Sequence, residues 1–320
     1  INMVKDAPWI GHGLGSFEAH YMDYQANFFK QCGQSRFSML ADNVKQPFNE
    51  YLGLLLNFGI IGLLVLLLLM VIIIYCYRKN PSVEKQIAFY SLSSIGIFSF
   101  FSYPFAYPFV WVVTFLSIFI ITSEYIKPLF SNILIKKIAC MFILTYSLFG
   151  SSKLFERIQA ELDWGKASTL ALCKSYNETL PTYERLEKMF VSNPYFLYNY
   201  AAVLQEMKQY TESLEVALKC RQYWADYDLE LIIGENYQQL NKPELAEKYY
   251  NSASMMCPSR FLPLYKLFHL YKTNGEKERS LAMAEAVISK PMKIKTTTIR
   301  MMKREMEREI QKMNMSIKLE

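Results

Sequence analysis

After residue 50, apolar residues fill long uncharged runs to about residue 150; beyond residue 190 they recur at helical spacing. Tyr51 to Tyr77 is 27 residues without a charge, closed by Arg78 and Lys79. A helix rises ~1.5 Å per residue and the hydrocarbon core of a bilayer is ~30 Å thick, so this run predicts a membrane-crossing helix. Gln86 to Ser123 is a second uncharged run of 38 residues, too long for one crossing. Pro104 and Pro108 divide it, because proline lacks a backbone donor and clashes with the preceding turn. Two crossings, about 86–103 and 107–123, are predicted, joined by a turn whose tyrosines suit an interface. A fourth apolar run, about 132–150, carries Lys136 and Lys137, whose stems can reach a nearby interface.

The second half follows a different rule. Between residues 194 and 292, apolar and small residues recur every 33 to 34 positions. Tyr200, Ile233 and Leu267 share one position, and Ala201, Gly234 and Phe268 the next. Leu204, Tyr237 and Tyr271 align, as do Ser213, Ala246 and Ser280; Ala217, Tyr250 and Ala284; and Cys220, Ala253 and Val287. The pattern resembles the tetratricopeptide repeat, a pair of antiparallel helices whose small residues allow close approach. Residues 151–193 read as a linker with a degenerate helical pair. From 293 to 320, Met302, Met306, Ile310 and Met313 mark a helix that caps the array. The predicted fold class is all-α: polytopic transmembrane helices over 51–150, about four in number, preceded by an external loop over 1–50 and followed by a tetratricopeptide-type α-solenoid.

Charge orients this scheme. The loop 78–85 has three basic residues and one acid, and Lys127, Lys136 and Lys137 face Glu124 in the loop 124–137. By the positive-inside rule both are cytoplasmic, which puts residues 1–50, the proline turn and the repeats outside. Lys153, Arg157 and Lys166 run against that rule. The net charge of +6 comes with no base-stacking motif or continuous basic face, so nucleic acid is not an expected partner. The six cysteines show no metal-type spacing, so neither metal nor cofactor is expected. The chain opens Ile-Asn-Met with no leader pattern, and we read it as the C-terminal part of a longer protein.

Ahead of the first apolar run stands Pro8-Trp9-Ile10-Gly11-His12-Gly13-Leu14-Gly15-Ser16-Phe17, followed by Tyr21 and Tyr24. Asn49-Glu50-Tyr51-Leu52 then leads into Asn57-Phe58-Gly59-Ile60-Ile61-Gly62. Over about residues 7–123 this order resembles the O-antigen ligase and polymerase family: a G-x-G-x-G-x-F element, a tyrosine-containing loop, then H-N-x-x-L entering a helix with G-x-x-G. The resemblance implies a multi-pass enzyme of the bacterial inner membrane. Such an enzyme transfers a glycan from an undecaprenyl diphosphate carrier to a lipid, polysaccharide or protein acceptor, without metal or nucleotide sugar. It also implies that the repeat domain is periplasmic. The family's histidine before asparagine is Phe48 here, which cannot take a proton.

The candidate catalytic residues are Glu50 and Asn49. Gly13, Gly15, Arg36, Lys45 and Tyr51 are the candidate substrate-binding residues, with arginine the better phosphate clamp because its fork is bidentate. Asp42, His12 and His20 are nearby alternative bases. Each also has a structural reading: Asn49 as a helix N-cap, Glu50 as complement to the helix dipole, Tyr51 as an interface anchor. The alternative function is a non-catalytic, membrane-anchored tetratricopeptide scaffold of a surface-polysaccharide or secretion system, binding a protein partner through its repeats. A transporter is disfavoured, since spans one to three carry no charge.

Overall fold

The computed structural model describes residues 2–33, 35–126 and 133–317, and the described residues are helices joined by turns. Lys127 of the predicted inner loop and the last three residues of the predicted cap lie outside them. The chain divides into two units: Ile1–Phe17 with Lys45–Leu162, and Glu18–Val44 with Asp163–Glu320. Residues 18–44 therefore belong with the repeats, and the first fifty residues are not one structural piece.

The first unit holds α1 (Asn2–Asp6), α3 (Glu50–Lys79), α4 (Val83–Phe98), a 3-10 turn (Pro104–Ala106) and α5 (Pro108–Ile126). It also holds most of α6 (Ile133–Leu172), while α2 (Ser16–Cys32) starts in this unit and continues in the second. Among the described residues three helices are long and apolar enough to cross a membrane: Glu50–Lys79, Pro108–Tyr125 and Lys136–Leu172. At 16 residues, or ~24 Å, α4 is shorter than a usual crossing. Ser82 caps it, and it stops at Phe98, before the residues 99–103 assigned to that crossing from sequence. Cys76, Ala88 and Ile121 bury one another where α3, α4 and α5 meet, and Tyr77 stacks on Phe89. The buried amine of Lys85 donates to Asn80 O at 3.0 Å and pairs with Glu124 at 3.1 Å, so the lysine beside these apolar helices is neutralised. The fourth apolar run is only the first part of α6, which continues as helix through residues 151–172.

In the second unit, α7 (Tyr176–Leu186) precedes three helix pairs: α8 (Pro194–Glu206) with α9 (Tyr210–Arg221), α10 (Tyr227–Gln239) with α11 (Pro243–Met256), and α12 (Leu262–Thr273) with α13 (Lys277–Ser289). Asn193 caps α8 and Asp226 caps α10 through side-chain oxygens. Within a pair, the eighth and twenty-fourth repeat positions face each other, and their volumes compensate. Gly234 leaves room for the Tyr250 ring, which a Cβ at 234 would meet at 2.7 Å. In the third pair the order is reversed, with Phe268 and Ala284 both fully buried. The turn inside each pair places Lys208, Asn241 and Gly275 at φ of 62°, 56° and 76°. The capping helix α14 (Thr297–Ile317) lays Met302, Met306, Ile310 and Met313 on the Phe261, Phe268, Ala284 and Val287 cluster.

Candidate functional site

The first motif-bearing region is built on a break in α3. Gly59 has φ 62° and ψ −160°, which divides the helix into two arms. An unbroken helix would bond Ile60 N to Leu56 O and Ile61 N to Asn57 O. Here Leu56 O accepts from His12 N and Asn57 O from Gly13 N, both at 2.9 Å. Ile60 N donates to Pro8 O at 2.8 Å and Ile61 N to Trp9 O at 3.1 Å. Four backbone bonds thus splice the glycine-rich segment into the helix, and Ser16 Oγ adds a bond to Asn57 Oδ1 at 2.9 Å. The approach requires glycine on both sides. A Cβ on Gly11 would lie 2.5 Å from Asn57 C, and one on Gly59 would lie 2.3 Å from Trp9 O.

The predicted catalytic trio sits at the start of the same helix and contacts the end of α4 and the proline turn. Glu50 N donates to Ser99 O at 2.9 Å, and Glu50 Oε1 accepts from Phe105 N, also at 2.9 Å. Asn49 Oδ1 caps α3 by accepting from Leu52 N at 2.8 Å, while its amide donates to Phe100 O at 3.0 Å. Tyr51 OH donates to Gly96 O at 2.8 Å. All three side chains bond to backbone, an arrangement that ties α3 to the α4–α5 turn.

The remaining candidates are carried by other segments. Gly13 and Gly15 have φ of 90° and 76° and turn the chain into α2. Arg36 belongs to the second unit, with its guanidinium 4.8 Å from the Phe37 ring centroid. Lys45 is exposed on the stretch leading to α3. His12 Nε2 is 2.7 Å from Met3 O, His20 is exposed, and Phe48 meets Tyr103 edge-on at 5.5 Å. No group of three His, Cys, Asp or Glu among the described residues is placed to hold a metal.

The second region was not anticipated from sequence: residues Glu18–Val44 lie along the turns between successive repeats. Met22 is buried with Ala225, Tyr227, Leu231, Tyr250, Met256 and Leu267, and Tyr21 and Ala26 pack beside it. Ala225 N donates to Glu18 O at 2.9 Å, and Gln25 Nε2 donates to Met256 O at 2.6 Å. Asp226 uses one carboxylate oxygen to cap α10 and the other to accept from Asn43 Nδ2 at 2.7 Å. Arg221 donates to both Asp23 and Glu230. Burial pushes the Glu230 carboxyl above its usual range, and Arg221 partly opposes this. Arg260 reaches Asp42 at 2.7 Å and Lys293 lies 3.6 Å from it. Burial alone would push the Asp42 carboxyl up, but the bonds from Arg260 and Asn43 N–H leave it below the usual value. The repeats thus hold a helical polypeptide segment by the buried Met22 side chain, flanked by ion pairs and backbone bonds.

No known protein family matches the sequence, and no curated protein matches it. Among solved structures, the chain is similar to the crystal structure of MamA protein, with 13% identity and a TM-score of 0.39 over 48% of this chain and 88% of that one. It is likewise similar to MamA 41-end from Desulfovibrio magneticus RS-1, with 18% identity and a TM-score of 0.37 over 46% and 76%. YrrB, described as a TPR protein with an unusual peptide-binding site, aligns at 19% identity and a TM-score of 0.36 over 40% and 66%. The chain is an all-helical protein with a tetratricopeptide-type domain, an assignment carried by its own three helix pairs at 33- to 34-residue spacing.

Proposed function

We propose that this chain is a membrane-anchored helical-repeat scaffold, with its repeats outside the inner membrane and built to hold polypeptide. One observation carries this reading: the repeats already bind a polypeptide helix, residues 18–32, in the same chain. The trio Asn49, Glu50 and Tyr51 supports it from the other side, because every one of its polar side chains is engaged with backbone. The packing of residues 18–44 on the repeats also bears on topology. Both must lie on one face of the membrane, so the chain crosses an even number of times between residues 45 and 162. Among the described residues three helices are long and apolar enough to cross, and this reading takes α4, with the turn at residues 99–103, as a fourth crossing. The basic Arg78 and Lys79 end α3 on the opposite face, which the positive-inside rule makes cytoplasmic.

Complementation in the host tests this. After deletion of the gene, a Glu50→Gln, Asn49→Ala chain is expected to restore the envelope phenotype, whereas Arg221→Leu is expected to fail. Restoration by Arg221→Leu together with failure of the Glu50 and Asn49 variant, at equal protein level, overturns the scaffold reading.

A second reading, glycan transfer from an undecaprenyl diphosphate carrier to a lipid, polysaccharide or protein acceptor, is favoured by one feature. The two motif elements that resemble the ligase and polymerase family are joined by four backbone bonds where Gly11 and Gly59 allow close approach. An unchanged surface-glycan profile after gene deletion would end it.

A further inference from the structure

Trp9, Ile10 and Leu14 are 66, 73 and 81% exposed although they sit on a segment fixed by four backbone bonds. Water is a poor solvent for three large apolar side chains held outward on a rigid turn. Their surroundings are apolar as well: Phe58, Ile61 and Leu64 on α3 are 41, 51 and 58% exposed. The exposed surface of the glycine-rich segment therefore continues the surface of a helix long and apolar enough to cross a membrane.

The position of the break fixes a depth. The arm from Ile60 to Lys79 has 20 residues, or ~30 Å of helix, which matches the thickness of a hydrocarbon core. The arm from Glu50 to Phe58 then extends above it, and Gly59 falls at the boundary between acyl chains and headgroups. Backbone that leaves helical geometry at that boundary needs partners for its polar groups, and Pro8, Trp9, His12 and Gly13 supply them to Ile60 N, Ile61 N, Leu56 O and Asn57 O. Tryptophan is the side chain that favours that depth, since its ring is apolar and its N–H can reach the headgroup layer.

We propose that Pro8–Leu14 is an interfacial lipid anchor: Trp9, Ile10 and Leu14 insert into the non-cytoplasmic leaflet and set the level at which α3 enters the bilayer. The proposal rests on the reading of α3 as a membrane crossing. Its partner is the lipid surface itself, without headgroup specificity, because the anchor's side chains are apolar.

The test uses the full chain reconstituted in phosphatidylcholine and phosphatidylglycerol bilayers whose acyl chains carry bromine, a contact quencher of tryptophan. Trp111→Phe, Trp164→Phe and Trp224→Phe together leave Trp9 alone, and the corresponding variants retain only Trp111, at the start of α5, or only Trp224, buried in the repeats. Trp9 is expected to lose as large a fraction of its emission as Trp111, with Trp224 unaffected. Quenching of Trp111 without quenching of Trp9 overturns the anchor and leaves the membrane reading standing; absence of quenching at both positions removes the two together. If the triple substitution unfolds the repeats, the same quantity follows from the unaltered chain minus Trp9→Phe.

Discussion

Replacing Met22 by alanine removes the one side chain of residues 18–44 that is fully enclosed by the repeats. Met22 is 1% exposed and lies among eleven other buried residues of one cluster. Truncating a buried methionine to alanine costs ~2–5 kcal/mol, from lost transfer energy and the cavity left behind. If that loss falls on docking, the ratio of docked to undocked segment drops by about 30- to 4,000-fold, at tenfold per 1.4 kcal/mol. The repeat core keeps its own contacts, because Ala225, Tyr250, Ala253 and Met256 also bury one another. Hydrogen exchange on the full chain reads the difference directly. Amides of residues 18–32 are expected to lose protection by that factor, while those of α10 and α11 exchange as before. Equal loss of protection in both would refute the idea of a bound segment and make residues 18–44 an integral part of the repeat core. Unchanged exchange at 18–32 would mean that the ion pairs alone hold the segment.

Arg221→Leu leaves Glu230 buried opposite Asp23 with no cation, an arrangement that costs ~3–5 kcal/mol. The folded state already raises the Glu230 pKa, so stability tied to its neutral form is present at acid pH and lost as pH rises through the folded value; the deficit of this variant in thermal melts should be smaller at pH 5 than at pH 8. Gly11→Ala and Gly59→Ala each place a Cβ against backbone at positive φ, so each should lower the melting temperature of the detergent-solubilised chain and restore amide exchange at Ile60 and Ile61. Lys208→Gly relieves a left-handed lysine at a turn where the third repeat carries Gly275, and chemical denaturation should show a gain of about 1 kcal/mol. Burial lowers the pKa of the Lys290 amine to about 8, so the folded state gains stability as pH rises from 8 towards 10; Lys290→Met should flatten that slope in melts between pH 8 and 9.5.

Helix pairs at 194–292 were legible because one period repeats three times and its small positions, such as Ala246 and Ala253, are the ones that become fully buried. The charge-free run after Glu50 was legible for the same reason: a single property persists over many residues. Its break was not, because Gly59 within an apolar helix reads as a packing residue until its left-handed backbone is seen beside Gly11. The Asn49 cap followed from its place before the apolar run, whereas the acceptor role of Glu50 towards Phe105 N depended on how the proline turn closes. Arg36 and Lys45 were grouped with Glu50 by nearness in sequence, whereas Arg36 belongs to the repeat unit and Lys45 to the unit of α3. Least legible was the bound segment, since Asp23 and Arg221 are 198 positions apart and neither carries a local pattern.

The distance along the chain between residues 18–44 and their seat on the repeats has a consequence for biosynthesis. Gln25 bonds to Met256, 231 positions later. At about 5–20 residues per second, a ribosome needs roughly 10–50 s to make that stretch. Through that interval Met22 has no surface to cover it, and every long apolar helix between is made before it does. The segment is thus a late-closing latch, and a chain that stalls before residue 256 carries it open to chaperones and proteases.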